Sequence, residues 1–141
     1  MVKKINFIVS DKSFEKFMMM VILGTTGSAQ EIKMNFFFTF WGLNLLKKNA
    51  YKGLKVAGMP FPMKGMAASM FKKRLAKFGI EDPLALLRDA VEDGNLKLIP
   101  CSMTMELMGI KKEDLLDFVE EPVGAATFFE ISEDADAIVS L

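Results

Sequence analysis

Histidine is absent from this sequence of 141 residues, and cysteine occurs once, at Cys101. Without histidine, the chain lacks the Cys-His and Ser-His pairs that activate many enzyme nucleophiles. One cysteine is also too few for a structural zinc site, and histidine is the commonest metal ligand. We therefore expect no metal site. A single cysteine excludes an internal disulfide and is typical of a reducing compartment.

Net charge and long apolar runs are also lacking. The 18 basic residues balance the 18 acidic ones, which argues against binding to nucleic acid through bulk charge. The most apolar segment, Phe17–Leu23, is too short to span a bilayer. Met1–Lys4 leads at once into a strand-like segment and does not resemble a signal peptide. We expect a cytoplasmic protein without a membrane span.

Apolar residues make up 51% of the chain, with 12 methionines and 13 phenylalanines. This composition and length predict one globular domain, residues 1–141, with a substantial hydrophobic core. Methionine fills irregular gaps in cores and is common at adaptable subunit surfaces. Because a neutral surface also does little to oppose self-association, a homo-oligomer is expected.

Strand-like and helix-like segments alternate along the chain, which predicts an α/β protein with a mostly parallel sheet and helices on both sides. The predicted strands are Ile5–Val9, Ile32–Phe40, Leu54–Met59, Leu96–Ile99 and Ala135–Leu141. The predicted helices are Phe14–Leu23, Trp41–Lys48, Met70–Phe78, Pro83–Asp93, Ser102–Met108, Lys111–Val119 and Ala125–Ile131, with a loop over 59–66.

Ligands of open parallel sheets bind beyond the carboxyl ends of the strands. Cys101 lies at such a position, in the junction Pro100-Cys101-Ser102 between a predicted strand and a predicted helix. Free backbone N–H groups and the dipole of the following helix would favour its thiolate, the form that attacks sulfur. The alternative is that Cys101 is a buried, unreactive packing residue, as free cysteines often are.

The segment around Cys101, from Leu96 to Ile110, resembles the cysteine segment of DsrE/DsrF-like proteins, which are often labelled peroxiredoxin-related. Phe37–Leu43 resembles the second strand of this family and its exit, and Met59-Pro60 with the following loop resembles the family's central insertion. Gly124–Ala137 resembles its terminal helix and strand. The similarity runs along the whole chain in matching order.

This resemblance implies a three-layer α/β/α fold with a five-stranded parallel sheet, and a homo-oligomer. It also implies cytoplasmic sulfur trafficking, in which the family's cysteine carries a persulfide or thiosulfonate and passes it to a TusA-like or rhodanese-like partner. Carried onto this chain, that cysteine is Cys101. A two-cysteine peroxidase mechanism lacks its second thiol here, so the resemblance favours simple carriage on one sulfur.

Four other residues are weaker candidates for substrate binding near Cys101. Ser102 shares the same junction, Lys12 follows the first strand, Trp41 follows the second, and Met59 begins the loop at Met59-Pro60. The alternatives are that Lys12 is an ordinary surface lysine and that Trp41 is a packing or interface residue. The segment Gly24–Gly27 lacks the lysine and the strand-to-helix context of a phosphate loop, so no nucleotide cofactor is expected.

Three functions are consistent with the sequence. The first is a sulfur carrier or sulfurtransferase accessory protein that uses Cys101. The second is a non-catalytic oligomeric scaffold in which Cys101 is only packed. The third is a thiol-dependent redox protein that consumes peroxide with an external thiol.

Overall fold

A computed structural model of the chain describes residues 1–60 and 62–141. In these residues four strands form one sheet: β1 (Lys4–Val9), β2 (Lys33–Phe38), β3 (Leu96–Pro100) and β4 (Ala137–Ser140). Their order across the sheet is β3-β2-β1-β4, and all neighbours are parallel. The predicted parallel α/β architecture is confirmed, although the described residues provide four strands where five were expected.

The helices occupy most of the predicted positions. They are α1 (Phe14–Ala29), α2 (Ala50–Gly53), α3 (Met63–Lys77), α4 (Pro83–Glu92), α5 (Ser102–Met108) and α6 (Ala125–Ile131), with 3-10 helices at Phe40–Leu46 and Lys112–Asp114. Capping side chains fix two of the starts. Ser13 accepts the Lys16 N–H at 3.2 Å before α1, and Asp82 accepts the Ala85 N–H at 3.1 Å before α4.

Helices cover both faces of the sheet. The main core lies between the sheet and helices α1 and α4, and includes fully buried Phe17, Phe36 and Leu98. On the opposite face, Phe128 of α6 stacks on Phe37 of β2 with ring centroids 4.7 Å apart. Because both faces of β2 are covered, its run Met34–Phe38 is apolar except for Asn35. This is the expected three-layer α/β/α arrangement.

The strand predicted over Leu54–Met59 was wrong. Leu54 and Val56 are buried while Lys55 between them is exposed, which is the alternation of a half-buried strand. The segment instead lies outside the sheet, where the Lys55 carbonyl accepts the Phe14 N–H at 3.0 Å and Glu15 accepts the Ala57 N–H. The side chains of Leu54 and Val56 are part of the main core.

The helix predicted over Lys111–Val119 was also wrong, because only Lys112–Asp114 forms a turn of 3-10 helix there. Leu115 and Val119 are buried in the main core, and the Leu116 N–H donates to the Leu46 carbonyl at 2.9 Å. Helix α3 begins seven residues before the predicted Met70, so its first turn occupies part of the predicted loop over 59–66. Phe61 in that loop lies outside the described residues.

A short extended segment lies along the free edge of β3. The Glu120 N–H donates to the Leu98 carbonyl at 2.8 Å, and the Val123 N–H donates to the Pro100 carbonyl at 3.0 Å. Leu98 and Pro100 are two residues apart, whereas Glu120 and Val123 are three apart, so the two hydrogen bonds do not belong to one regular ladder. Only Cys101 and Val123 form a β-bridge, and the segment is not a fifth strand.

Candidate functional site

Cys101 is fixed at the carboxyl end of β3 by its own backbone. Its N–H donates to the Phe38 carbonyl at the end of β2, at 2.9 Å, and its carbonyl accepts the Met105 N–H at 3.0 Å. Its backbone is extended, with φ −77° and ψ 118°, and α5 begins at the next residue. Cys101 thus occupies the strand-to-helix junction that the sequence predicted.

The extended segment at the edge of β3 also reaches this junction. The Ser102 N–H donates to the Val123 carbonyl at 2.9 Å. The first amide of α5 is therefore committed to the backbone and does not point freely at the Cys101 sulfur. The sequence did not predict this pairing, because the chain segment that lies along β3 is distant from the junction in sequence.

The Cys101 side chain lies in an apolar environment on the α6 side of the sheet. It belongs to a small cluster with Phe37, Ile99 and Phe128, against which Val123 also packs. Only 7% of the Cys101 surface is exposed. The thiol is therefore largely covered by α6 and by the segment that leads into it, and a reagent can reach it fully only when these move.

Two threonines complete the junction and were not singled out from the sequence. The hydroxyls of Thr39 and Thr104 are 3.0 Å apart, and Thr104 also accepts the Phe40 N–H at 3.2 Å. Phe40 has a left-handed backbone, with φ 46°, which is unusual for a bulky residue. The hydroxyl pair joins the exit of β2 to α5 and helps to hold this turn. No local motif reveals it, because the two threonines are 65 positions apart.

The weaker candidates are spread around this end of the molecule. Ser102 lies beside Cys101, and its hydroxyl would be 3.9 Å from a Cβ built on Gly124, the residue before α6. Trp41 follows β2 in the 3-10 helix Phe40–Leu46 and is 63% exposed. Lys12 lines a separate pocket with Asn44 and Lys47. Met59 packs against the main core, not the Cys101 cluster.

A pocket of about 380 Å³ opens next to the junction. Its lining includes Ser102, Met105, Glu106, Lys111 and Pro122. Among the residues that line this pocket, Ser102 is the one next to Cys101 in the sequence. The pocket is mostly apolar, with Glu106, Lys111 and Lys112 as its charged lining residues.

Within the described ranges 1–60 and 62–141, no group of three or more Asp, Glu, His or Cys side chains is arranged to hold a metal ion. Over the same ranges, no helix has the length and apolar character required to cross a membrane.

Comparison with known proteins places this chain in a family. The model of the DsrE/DsrF/DrsH-like family matches residues 1–139. The chain belongs to this family. The sulfur carrier protein DsrE2 of Allochromatium vinosum is 32% identical over an alignment that covers 95% of each chain. YrkE of Bacillus subtilis, an uncharacterized protein, is 27% identical and is aligned over 94% of this chain and 92% of its own.

Solved structures confirm the fold of this family member. MTH1491 of Methanobacterium thermoautotrophicum, a protein of unknown function, superposes with a TM-score of 0.62 at 12% identity, covering 97% of this chain and 98% of that one. YchN of E. coli superposes with a TM-score of 0.52 at 15% identity over the full length of both chains. At these identities the likeness concerns the fold alone.

Proposed function

We propose that this protein is a cytoplasmic sulfur carrier that holds a sulfane sulfur on Cys101 and passes it to a partner protein. The similarity to the sulfur carrier DsrE2, at 32% identity over 95% of the chain, carries the proposal. The position of Cys101 supports it, because this one thiol lies beyond the carboxyl end of a parallel strand, where such folds bind their ligands. Backbone hydrogen bonds to Phe38 and Met105 fix the position of Cys101 at this junction.

Loading needs only thiol–disulfide-type exchange. With a persulfide donor, the Cys101 thiolate attacks the outer sulfur; a Cys101 persulfide forms and the donor leaves as a thiolate. With tetrathionate, the thiolate attacks an inner sulfur, Cys101 gains a sulfane sulfur that carries a sulfonate (–S–SO3⁻), and thiosulfate leaves. In both reactions one S–S bond forms as another breaks, so no external oxidant or reductant is needed.

Unloading is the reverse exchange with an acceptor. The partner's thiolate attacks the transferred sulfur, and Cys101 leaves again as a thiolate. A TusA-like or rhodanese-like protein is the proposed partner, because such carriers present a reactive cysteine. Small movements of the cover over Cys101 in the free protein are proposed to admit the donor and the acceptor.

Exposed apolar side chains near the junction offer a surface for association. Met103 and Leu107 lie four residues apart on α5 and are 75% and 71% exposed. Phe40 and Trp41, on the adjoining turn, are 56% and 63% exposed. Apolar side chains grouped in this way are typical of protein–protein contacts. We propose that a second copy of this chain covers part of this surface in a homo-oligomer.

Intact-mass spectrometry tests the loading step. The protein is incubated with tetrathionate and, separately, with inorganic polysulfide, beside the Cys101→Ser variant. We expect a thiosulfonate adduct with the first reagent and a sulfane adduct with the second, each on the wild type alone. Circular dichroism confirms that both proteins are folded. An unmodified, folded wild type, or equal adducts on the variant, would contradict the proposal.

The burial of Cys101 favours a second candidate function, a non-catalytic oligomeric scaffold. A thiol that is 7% exposed among Phe37, Ile99 and Phe128 has the surroundings of a structural cysteine. Alkylation with iodoacetamide separates the two functions. A carrier should label in the native state at pH 7, whereas a packed thiol should label only after denaturation in guanidinium.

A further inference from the structure

The α6 face of the sheet is polar at the amino ends of the strands, far from Cys101. The strands β1 and β2 both begin with the pattern Lys-X-Asn, where X is any residue. The parallel register places Lys4 opposite Lys33, and Asn6 opposite Asn35. On the other side of β2, Asn35 is opposite Lys97. Because side chains alternate along strands, these five side chains project from one face.

The next row on the same face is apolar. Two residues further along, Ile8 is opposite Phe37, and Phe37 is opposite Ile99. These residues lie under α6, where Phe128 stacks on Phe37. The face is therefore divided into an apolar half beside Cys101 and a cationic half at the amino ends. Lysines directly opposite each other on adjacent strands repel, so this arrangement costs stability unless a negative charge lies near them.

Two asparagines form the floor of the cationic half. Asn6 is fully buried and Asn35 is 5% exposed. The Asn35 amide donates to the Asn6 carbonyl at 2.9 Å, and the Asn6 amide donates to the Ser132 hydroxyl at 2.8 Å. Within the described residues, Asn6 is the only hydrogen-bond partner of the Asn35 side chain. The Asn35 carbonyl oxygen and its second N–H therefore remain available to a ligand.

A pocket of about 330 Å³ lies over this floor. It is lined by Lys4, Lys33, Asn35, Asn95, Lys97 and Ile131. Two carboxylates lie near these lysines: Asp134 forms an ion pair with Lys4, and Asp136 accepts the Lys4 backbone N–H at 2.9 Å. In the part of the chain that the structure describes, Lys33 and Lys97 form no ion pair with a carboxylate. The pocket thus keeps an excess of positive charge around a buried amide.

We propose that this pocket binds a small oxyanion that also carries a hydrogen-bond donor, namely hydrogen phosphate. Lys33 and Lys97 supply the positive charge, and the Asn35 side chain offers both a donor and an acceptor to the ligand's P–OH and P–O groups. Lys97 and Cys101 are four residues apart on an extended strand, about 13 Å. The pocket is therefore a site separate from the sulfur site.

Isothermal titration calorimetry at constant ionic strength tests this site. The wild-type protein is titrated with inorganic phosphate, glycerol 3-phosphate and sulfate at neutral pH. We expect saturable binding of inorganic phosphate and weaker binding of glycerol 3-phosphate and sulfate, because at this pH the monoester is mostly a dianion without a P–OH group and sulfate has no such donor. Because Lys97 is exposed, Lys97→Gln should fold normally and weaken phosphate binding about tenfold, as expected for the loss of one charge-assisted hydrogen bond.

Two matched variants make the result decisive. Lys77→Gln removes the same charge from an exposed lysine at the end of α3 and should leave phosphate binding unchanged. Cys101→Ser should also leave it unchanged, so the result is independent of the sulfur-carrier proposal. The proposal is overturned by an absence of saturable phosphate binding in the millimolar range, by equal affinity for sulfate, or by equal weakening in Lys77→Gln.

Discussion

At the scale of single residues, Gly42 shows how closely the turn after β2 packs onto the sheet. A Cβ built on Gly42 would lie 2.1 Å from the Val9 carbonyl oxygen, which is far inside van der Waals contact. Gly42→Ala should therefore shift the backbone of the turn and lower the free energy of unfolding by about 1–3 kcal/mol. Urea denaturation followed by circular dichroism measures this change.

Gly65 provides the matched control, because a Cβ there would meet no atom within 4 Å. It lies inside α3, where alanine is the better helix former, so Gly65→Ala should stabilise the protein by about 0.5–1 kcal/mol. If Gly42→Ala were as stable as wild type, the close packing of the turn on β1 would be refuted.

Cys101 itself should be replaceable without loss of the fold. Cys101→Ser is nearly isosteric but places a hydroxyl among Phe37, Ile99 and Phe128, which should cost about 1–3 kcal/mol if the hydroxyl stays unbonded. We expect cooperative thermal unfolding at a somewhat lower Tm. Loss of cooperative unfolding would show that the side chain is mainly structural.

At the scale of the elements, Asp136 joins β4 to β1. Its carboxylate accepts the Lys3 N–H at 2.7 Å and the Lys4 N–H at 2.9 Å. These two backbone donors hold the pKa of the Asp136 carboxyl below its ordinary value. The folded state therefore binds fewer protons than the unfolded state, and this stabilisation is lost as the pH falls through about 4 toward the folded pKa.

Asp136→Asn should accordingly lower Tm at pH 7, and the difference from wild type should shrink below pH 4. Differential scanning calorimetry at several pH values measures both effects. Glu133→Gln removes one negative charge from a nearby exposed side chain, and it should leave Tm unchanged at each pH. A Tm difference for Asp136→Asn that stays constant down to pH 3 would argue against the carboxylate bridge.

Local sequence patterns predicted most elements but not the pairing of the chain's irregular parts. Asp82-Pro83 and the apolar run of β2 are strong local signals, and both predictions were confirmed. Leu54 and Val56 alternate like a strand, yet their burial comes from contact with α1 and not from the sheet. Conversely, Pro122 argues against a strand in the segment that does lie along β3. That segment is held there by backbone hydrogen bonds to Leu98 and Pro100, which no local pattern predicts.

At the scale of the whole molecule, only part of the surroundings of Cys101 could be predicted. Its position between a strand and a helix was predictable, because the local pattern around it shows where β3 ends and α5 begins. The Thr39–Thr104 pair and the cover of Phe128 over the thiol depend on contacts between distant segments, which no local pattern encodes. The proposed roles of Lys12, Trp41 and Met59 in binding remain predictions.

The exposed apolar surface on α5 and the adjoining turn Phe40–Leu46 predicts self-association. Trp41→Asp adds a charge to that surface and should convert a homo-oligomer into smaller species. Size-exclusion chromatography with light scattering measures the mass. Phe78→Asp, at an exposed aromatic residue that follows α3, is the control and should keep the wild-type mass. A monomeric wild type, or equal dissociation of both variants, would contradict this interface.

Transfer of sulfur from Cys101 to an acceptor is the step that distinguishes a sulfur carrier from a scaffold. Wild-type protein loaded with a sulfane sulfur, and freed of the donor, is mixed with a purified TusA-like protein, and both intact masses are followed over time. We expect the added mass to leave this chain and to appear on the acceptor, but not on an acceptor whose cysteines are alkylated beforehand. Retention of the adduct on Cys101, or its release without modification of the acceptor, would contradict it.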